Sequence, residues 1–459
     1  MNQLMKRNLR GVMKDPDRAV GTGCFLLYLY FILDFFLRFS ARFSGYGRLR
    51  PTVLVFLIIC GVLFINRENL KKRFDDPILK CALLLIGFIA VSLPLVEYPG
   101  SVVRNNLNNF VLAICFLFFT ALIVDTDRRL RWFLFVFVGC QLVRILEPLY
   151  MNLTQGYWGG QTHLQGGVFA DRLSGAPADV INANELGFVI VTVIPFIHYL
   201  LFPLGWKSKI LYAGLMLAML YALMLTMSRG ALIALLVVVF MLFKESRHKL
   251  MLLGVAVTLA VVGWSLMTPV QQDRYISLID RDTTGGASVD GRFMGMQAEF
   301  RLAMRRPIVG FGVGTTPEAK VNVMGYRQAS HSLYAELLTE VGVIGMGIFL
   351  ALLWQVYKRL IENRRRFRAL HVAKDDLYTR LNTAMIATFW MYLVYSINYW
   401  GLSQYYWYLF AGLAVSFGRL LRLEDEKRQR LAAENEAPDQ VESLKPRFPL
   451  AQRKAFKNP

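Results

Sequence analysis

The sequence SHSLYAELLTEVGVIGMGIFL at residues 330–350 ends the longest hydrophilic segment of the chain and begins an apolar helix. The hydrophilic segment runs from about Val270 to His331, and apolar runs surround it on both sides. A chain embedded in a bilayer keeps few titratable groups unless they have a function. We therefore expect the chemistry of this protein at the junction between the segment and the helix that begins near Ser332.

The composition is that of a polytopic membrane protein. Of the 459 residues, 55% are hydrophobic and 13% are aromatic, and the mean hydropathy of +0.40 is too high for a large water-soluble enzyme. The formal net charge is +20. Because the basic residues form short clusters between apolar runs, this charge reflects membrane topology and not a nucleic-acid-binding surface.

Twelve apolar windows approach the length that a helix needs to cross a hydrocarbon core of about 30 Å. The sequence therefore predicts an all-α, polytopic helical membrane protein with about 12 transmembrane helices. Several windows are short, notably residues 230–243. The windows are residues 20–38, 51–66, 77–95, 108–124, 130–149, 183–203, 207–227, 230–243, 250–268, 332–356, 381–399 and 402–420.

Clusters of lysine and arginine predict the orientation of these helices, because short cytoplasmic loops retain positive charge. The clusters alternate with the loops assigned to the outside, so both termini are predicted in the cytoplasm. The first hairpin departs from the rule, since Arg42, Arg48 and Arg50 lie on the predicted outer side. The clusters lie in the N-terminal tail and at residues 67–80, 128–131, 207–209, 244–249 and 358–380.

The outer side holds two large polar loops, residues 150–182 and residues 270–331, the second of them between the ninth and tenth predicted spans. The spans and loops form one predicted transmembrane domain, residues 1–423. Residues 424–459 lack apolar periodicity and are rich in Glu, Lys, Arg and Pro, which is typical of flexible segments. We expect a flexible cytoplasmic tail with at most an initial helix.

Neither outer loop contains a sequence pattern for a metal ion, a cofactor or a serine nucleophile. The patterns HExxH and GxSxG do not occur there, and the run GFGVG at residues 310–314 lacks the Lys and Ser/Thr of a P-loop. The five cysteines lie in apolar segments without CxxC spacing or a nearby histidine. We therefore expect no disulfide framework, no metal site and no cofactor.

His331 is the strongest candidate for acid–base chemistry. The predicted topology places His248 and His371 in the cytoplasm and His198 inside a span, which leaves His163 and His331 on the outside. His331 directly precedes a predicted transmembrane helix, where a neutral imidazole could act as a general base near pH 7. The alternative is an interfacial histidine that caps the helix or binds a lipid headgroup.

Arginines supply candidate ligands for an anion. Arg229 lies between two apolar runs, where a charge held at membrane depth costs about 2.5–3.5 kcal/mol, and its planar guanidinium suits phosphate oxygens. The alternative is a helix-end arginine that snorkels to the headgroups. Arg292 in the long loop and Arg172 in the smaller loop are further candidates. Asn182, also in the smaller loop, is predicted to cap the sixth span.

Three ordered stretches resemble the family of O-antigen ligases and polymerases, which includes WaaL-type ligases, Wzy-type polymerases and protein O-oligosaccharyltransferases. The stretches are TMSRGALIALL at residues 226–236, GRFMGMQAEFRLAMRRPIVGFGVG at residues 291–314 and HSLYAELLTEVGVIG at residues 331–345. One departure is Met296, where the family usually carries an aromatic residue. The resemblance covers residues 226–350, and the other spans resemble the family only in number and spacing.

The resemblance implies a metal-independent, inverting glycosyltransferase of the bacterial inner membrane. Members of the family transfer a glycan from undecaprenyl pyrophosphate to an acceptor hydroxyl on the periplasmic side. On this chain, Arg229 and Arg292 would hold the pyrophosphate, and His331 would accept the acceptor proton or orient the hydroxyl. Arg172 and Glu336 are further candidates for substrate binding. The expected partners are the lipid-linked donor, an acceptor that is lipid A core or a second lipid-linked glycan, and membrane lipids, but no nucleic acid.

Several functions remain open at the level of the sequence. Within the family, the acceptor distinguishes a ligase, a polymerase and a protein glycosyltransferase. Polymerases are described with paired outer loops bearing Arg-x10-Gly; Arg274 and Gly285 have this spacing, whereas Arg172 has no matching glycine. A function of another class, a flippase for lipid-linked sugars, predicts several charged residues in the middle of the spans. The predicted spans hold few, among them Asp34 and Arg144.

Overall fold

The computed structural model describes residues 19–43, 45–163, 169–280, 286–373 and 375–443. All twelve predicted windows lie on helices, and the predicted all-α class is confirmed. The helices of eight residues or more are α1 (Thr22–Leu37), α2 (Pro51–Ile65), α3 (Pro77–Ser92), α4 (Leu107–Ile123), α5 (Asp127–Gln155), α6 (Ala183–Leu200), α7 (Trp206–Thr226), α8 (Arg229–Glu245), α9 (Lys249–Leu266), α10 (Pro269–Ile276), α11 (Gly286–Ala303), α12 (Thr316–Met324), α13 (Leu333–Ala369), α14 (Leu377–Tyr395) and α15 (Tyr405–Ser443).

Shorter elements connect these helices. The smaller outer loop contains two strands, β1 (Gly159–His163) and β2 (Phe169–Leu173), which pair antiparallel with Gly159 opposite Leu173. The sequence of this loop does not predict a strand. Single helical turns lie at Phe39–Arg42, Tyr46–Leu49, Arg67–Leu70, Lys71–Asp75, Leu93–Leu95, Pro99–Ser101, Val102–Asn106, Phe202–Leu204 and Ser396–Asn398.

Eight helical segments in the described ranges are long and apolar enough to cross a membrane. They correspond to α2 to α7, α9 and α13, and α1 is a shorter apolar helix of 16 residues. Helices α8, α14 and α15 also occupy predicted windows, but they do not reach the same combination of length and hydropathy. The structure is therefore that of a polytopic helical membrane protein.

Residues at the helix ends explain where the helices begin. Asp76 precedes α3 and accepts the backbone N–H of Ile78, and Pro77 occupies the first helical position, where its missing N–H costs nothing. Asn182 forms a capping box with Glu185 at the start of α6, which satisfies two of the backbone groups left unpaired at a helix start. The predicted cap at Asn182 is thus confirmed.

The helices pack around one large apolar core. Helix α4 lies along α15, α14 contacts both α6 and α8, and α13 packs against α3. Helix α9 lies at the periphery and contains no buried residue. A helix that is apolar all round and unburied is suited to contact with lipid on most of its surface.

Helix α13 is broken at Gly342, which has φ 64° and ψ −171°. A Cβ at this position would lie 2.3 Å from the carbonyl oxygen of Ile308, so only glycine allows this approach of two backbones. The adjacent loop supplies hydrogen bonds at the break: Val343 N–H donates to Pro307 O at 2.8 Å, and Phe311 N–H donates to Thr339 O at 2.8 Å. The first two turns of α13 are thereby fixed to the long outer loop.

That loop is partly helical, as predicted, and contains α10, α11 and α12. The amphipathic helix predicted from about Gly291 to Met304 corresponds to α11. At the other end of the chain, α15 continues through Glu424 to Ser443, so the predicted tail begins as a helix. The flexibility predicted for residues 444–459 concerns a segment outside the described residues.

Candidate active site

Three arginines from different parts of the chain meet at the turn between α7 and α8. Arg229 is the first residue of α8. Arg172 donates from Nε to the carbonyl oxygen of Thr226 at 2.8 Å, and Arg274 donates from Nε to the carbonyl oxygen of Met227 at 2.9 Å. Two consecutive carbonyl groups directly before Arg229 therefore hold the other two arginines.

The local backbone explains why these carbonyls are available. Met227 has φ 50°, a left-handed conformation that few non-glycine residues adopt, and it ends α7. Ser228 then caps α8 by accepting the N–H of Ala231. The carbonyl groups at the end of a helix have no partner within it, so the guanidinium groups of Arg172 and Arg274 satisfy two of them.

Arg172 reaches this turn because side chains alternate between the two faces of strand β2. Side chains along a strand point to opposite faces, and Arg172 is buried while its neighbour Asp171 is exposed. Arg172 also donates to the side-chain oxygen of Asn184 at 2.8 Å. Asn184 lies in the first turn of α6, so the first residues of both α6 and α8 lie in the cluster, where helix dipoles favour an anion.

Arg292 is the fourth member of the cluster. It lies on α11 and donates to the side-chain oxygen of Asn398 at 2.9 Å. The side-chain nitrogen of Asn398 lies 3.0 Å from the position that a Cβ would occupy on Gly230. Arg292 is thereby held beside the first turn of α8, which begins with Arg229. We call Arg172, Arg229, Arg274 and Arg292 the arginine cluster.

The four guanidinium groups influence one another electrostatically. The pKa of Arg172 is lowered to about 10 by burial and by the positive charges of Arg292 and Arg229. Burial and the charges of Arg172 and Arg292 lower the pKa of Arg274 to about 10. Burial also lowers the pKa of Arg292. Arg172 and Arg274 remain charged at neutral pH, and a bound anion would offset both the desolvation and the repulsion.

The partners of the cluster within the described residues are mostly neutral oxygens. Arg172 donates to a carbonyl and an amide oxygen, Arg274 donates to a carbonyl and to the hydroxyl of Thr162, and Arg292 donates to an amide oxygen. Arg229 donates to the hydroxyl of Ser277 at 2.7 Å, among other interactions. For Arg172, Arg274 and Arg292, no carboxylate of the described residues neutralises the charge.

His331 lies half-buried beside this cluster. Burial and the positive charges of Arg292 and Lys320 lower the pKa of its imidazole to about 4. The ring forms no hydrogen bond with the residues that the structure describes. A neutral imidazole without a protein partner is available to accept a proton from a bound substrate.

The predicted site residues thus fall into two groups. Arg172, Arg229, Arg292 and His331 come together, whereas Glu336 faces a different neighbour. The Glu336 carboxylate is buried and accepts the backbone N–H groups of Gly401 at 2.7 Å and Leu402 at 3.0 Å. These contacts fix the turn between α14 and α15, and the predicted role of Glu336 in substrate binding gains no support from them.

Glu340, one turn further along α13, also has a structural role. Its carboxylate accepts the N–H of Gly314 at 2.6 Å and the hydroxyl of Thr316 at 2.8 Å, directly at the start of α12. Gly314 and Gly310 both have φ 74°. A Cβ on Gly310 would lie 2.5 Å from the backbone of Glu340. The glycines of the GFGVG run therefore allow close packing against α13.

Two features escaped the sequence analysis. Arg274 appeared there only through its spacing to Gly285, and nothing in its sequence context separates it from the exposed Arg301 of the same loop. The buried Glu299 and Lys320 next to His331 were not recognised either. The side chain of His163, the other outer histidine, lies outside the described residues. In the described part of the chain, no group of three or more His, Cys, Asp or Glu residues could hold a metal ion.

Comparison with known proteins identifies the same segment. Residues 214–350 match the family model described as O-Antigen ligase. The matched segment includes Arg229, Arg274, Arg292 and His331, whereas Arg172 precedes it. No curated protein matches the chain significantly.

Proposed function

We propose, from the match of residues 214–350 to the O-antigen ligase family model, that this chain is a metal-independent, inverting glycosyltransferase of the O-antigen ligase/polymerase family. It moves a glycan from undecaprenyl pyrophosphate to an acceptor hydroxyl on the periplasmic face of the inner membrane. The observation that carries the proposal is the convergence of four arginines beside the His331 imidazole. Among the described residues, three of these arginines have only neutral partners and the imidazole has no hydrogen-bond partner.

The arginine cluster suits a pyrophosphate leaving group. During transfer, the bond between the anomeric carbon and the pyrophosphate oxygen breaks, and the leaving pyrophosphate gains one negative charge. Preorganised donors aimed at this developing charge lower the barrier of the reaction, and guanidinium groups bind phosphate oxygens with paired hydrogen bonds. Four arginines therefore provide the charge stabilisation that a divalent cation gives in other phosphate-dependent enzymes.

His331 has the role of accepting the proton of the acceptor hydroxyl. A new bond forms between the acceptor oxygen and the anomeric carbon, and the hydroxyl proton passes to the neutral imidazole. Attack from the side opposite the pyrophosphate inverts the configuration at the anomeric carbon. The low pKa of His331 keeps the imidazole neutral throughout the physiological range, although it also makes His331 a weak base, so orientation of the hydroxyl contributes to its role.

The position of the cluster also fits a lipid-linked donor. Arg229 directly follows the apolar helix α7 and begins α8, so an anion bound there lies at the end of two helices that contact the bilayer. The lipid tail would remain in the bilayer while the pyrophosphate reaches the arginines. The acceptor is either lipid A core, as in a ligase, or a second lipid-linked glycan, as in a polymerase.

The test is glycan transfer in membranes supplied with purified undecaprenyl-pyrophosphate oligosaccharide, EDTA and each of the two acceptors. Wild type is compared at matched expression with His331→Ala, Arg229→Ala and the exposed control Arg301→Ala. We expect EDTA-resistant product from wild type and Arg301→Ala, and loss of product from the other two. Full activity of His331→Ala would refute its catalytic role, and the absence of transfer by wild type to either acceptor would favour a transporter.

A further inference from the structure

A buried ion pair lies behind His331. Lys320 on α12 and Glu299 on α11 are joined by a contact of 2.5 Å between Nζ and Oε1, and their side chains are 0% and 1% exposed. Lys320 also donates to the side-chain oxygen of Gln328 at 3.1 Å. A pair that is so completely buried contributes little net stability, because the loss of hydration offsets the attraction between the charges. Its presence therefore requires a reason other than stability.

Ser330 connects the pair to His331. The Ser330 hydroxyl donates to the second carboxylate oxygen of Glu299 at 2.7 Å. The hydroxyl oxygen of Ser330 in turn accepts the backbone N–H of Ser332 at 3.2 Å. The Ser330 hydroxyl, fixed by Glu299, thus links the residue before His331 to Ser332, the residue after it. Ser332 is also the residue that precedes the first turn of α13, so the direction of the His331 side chain is set at this point.

Helix α11 connects the pair to the arginine cluster as well. Glu299 and Arg292 are seven residues apart, about two turns of an α-helix, and therefore lie on the same face of α11. The Thr339 hydroxyl, on the second turn of α13, donates to the backbone carbonyl of Glu299 at 3.4 Å. A single helix thus carries both a phosphate-binding candidate and the carboxylate that fixes the segment containing His331.

The charged groups around His331 lie on helices α11 and α12. Arg292 on α11 and Lys320 on α12 each lower the pKa of the imidazole, after the larger effect of burial. The Glu299 carboxylate contacts this segment through Ser330. Burial raises its pKa, while the hydrogen bonds of Lys320 and Ser330 act in the opposite direction. Lys320 thus satisfies the carboxylate and adds a positive charge near the imidazole.

We propose that Glu299 and Lys320 are positioning residues for His331. Glu299 fixes Ser330 and thereby the backbone on both sides of His331, and Lys320 holds Glu299 in place. The proposal rests on the proposed function, in which His331 receives the acceptor proton. It assigns neither residue to contact with the substrate.

The first test removes the hydroxyl group that links Glu299 to the His331 segment and leaves the ion pair between Glu299 and Lys320 intact. Ser330→Ala deletes one hydroxyl group, and Ser416→Ala is the matched control, because Ser416 is also buried and donates one hydrogen bond, to the carbonyl of Thr120 at 2.7 Å. We expect Ser330→Ala to lower kcat by about 10- to 100-fold through misplacement of His331. The KM for the lipid-linked donor and the acidic limb of the pH profile should stay unchanged.

The second test removes the charge of Lys320 and keeps an acceptor for Ser330. The double variant Glu299→Gln/Lys320→Met is used because removal of one partner alone leaves a buried charge without its counterion. The double variant removes one positive and one negative charge and keeps a side-chain oxygen for the Ser330 hydroxyl, so kcat should fall less than in Ser330→Ala and the acidic limb of kcat/KM should stay at its wild-type pH. A pair that only stabilises the fold would lower the unfolding temperature and leave kcat of the folded double variant at the wild-type value.

Wild-type kcat in folded Ser330→Ala, or a kcat of the folded double variant below that of folded Ser330→Ala, overturns the proposal. Thermal unfolding of each purified variant establishes that it is folded, and Ser330→Ala provides the decisive result where the double variant does not fold. The variant His331→Ala distinguishes a failure of the proposed function from a failure of the positioning role. An active His331→Ala refutes the proposed function, whereas an inactive His331→Ala with an unaffected Ser330→Ala refutes the positioning role alone.

Discussion

At the scale of single residues, Arg274 is the member of the cluster whose contribution is easiest to isolate. Loss of a hydrogen bond to a charged group costs about 1.5–3 kcal/mol, which corresponds to roughly a 10- to 150-fold change in rate. We expect Arg274→Gln to lower kcat/KM for the lipid-linked donor by this factor. Arg274→Lys should be intermediate, because it keeps the charge and loses the paired geometry.

The measurement is initial-rate kinetics with purified protein over a range of donor concentrations. The control is Arg301→Gln, which removes an exposed arginine from the same outer loop and should retain wild-type kinetics. If Arg274→Gln and Arg301→Gln behave alike, the position of Arg274 in the cluster has no functional meaning.

His331 gives a prediction about pH. The folded protein lowers the pKa of this imidazole to about 4, from a usual value of 6.5, and a general base works only in its neutral form. As the pH falls, kcat/KM should therefore stay constant through pH 6.5 and decline only as the pH approaches 4. Protein returned from each pH to pH 7 must recover full activity, which excludes acid unfolding. A decline of kcat/KM that already begins at or above pH 6.5 would contradict the buried, positively charged environment of His331.

Members of the candidate site could be predicted from the sequence only where a residue lies in an unusual local context. Arg229 between two apolar runs and His331 before an apolar helix met this condition. Arg274 did not, because a loop arginine has the same sequence context whether it is buried, as Arg274 is, or exposed, as Arg301 is. The contact between Glu299 and Lys320 joins two separate helices and depends on tertiary packing.

At the scale of elements, the break in α13 determines how the long loop meets the membrane helices. Gly342 has φ 64° and ψ −171°, a conformation that is nearly confined to glycine and costs other residues about 1–3 kcal/mol, and a Cβ there would collide with the backbone oxygen of Ile308. We expect Gly342→Ala to destabilise the protein by about 2 kcal/mol or more. Gly347→Ala, in the same helix with open space around its Cβ, should be neutral or stabilising, by up to about 1 kcal/mol.

Thermal unfolding and size-exclusion profiles in detergent measure this difference between the two glycines. Equal stability of Gly342→Ala and Gly347→Ala would show that the break is not required. Where Gly342→Ala still folds, its transfer activity should also fall, because the break fixes the first turns of α13 and with them the segment that begins at Ser330.

The elements themselves were largely predictable, because long apolar windows have few alternatives to a helix in a membrane. The break at Gly342 was not, since the segment GVIGMGIFL contains three glycines in an apolar helix and only one of them adopts a left-handed conformation. The hairpin of β1 and β2 was also missed. Its strand sequences, GGQTH and FADRL, are short and lack the β-branched residues that usually indicate strands.

At the scale of the whole molecule, the ion pair between Arg42 and Glu147 explains the one arginine-rich loop that departs from the positive-inside rule. Arg42 forms two hydrogen bonds with the Glu147 carboxylate, at 2.6 and 2.5 Å. Glu147 lies near the end of α5, shortly before the loop of residues 150–182. The first hairpin therefore lies at the same end of the molecule as that loop, and its charge is partly neutralised there.

This arrangement predicts which residues are accessible from each side of the membrane. The background is a variant without the five native cysteines, which lie in the helices and are buried or half-buried. Single cysteines are then introduced at Val180 and Ile279, which are 72% and 93% exposed in the two large loops. His248, exposed between α8 and α9, represents the opposite side. A membrane-impermeant maleimide should label the first two in intact cells and label position 248 only after permeabilisation. Because both loops contribute arginines to one cluster, they must be labelled from the same side, and labelling of position 248 alone in intact cells would place the cluster in the cytoplasm.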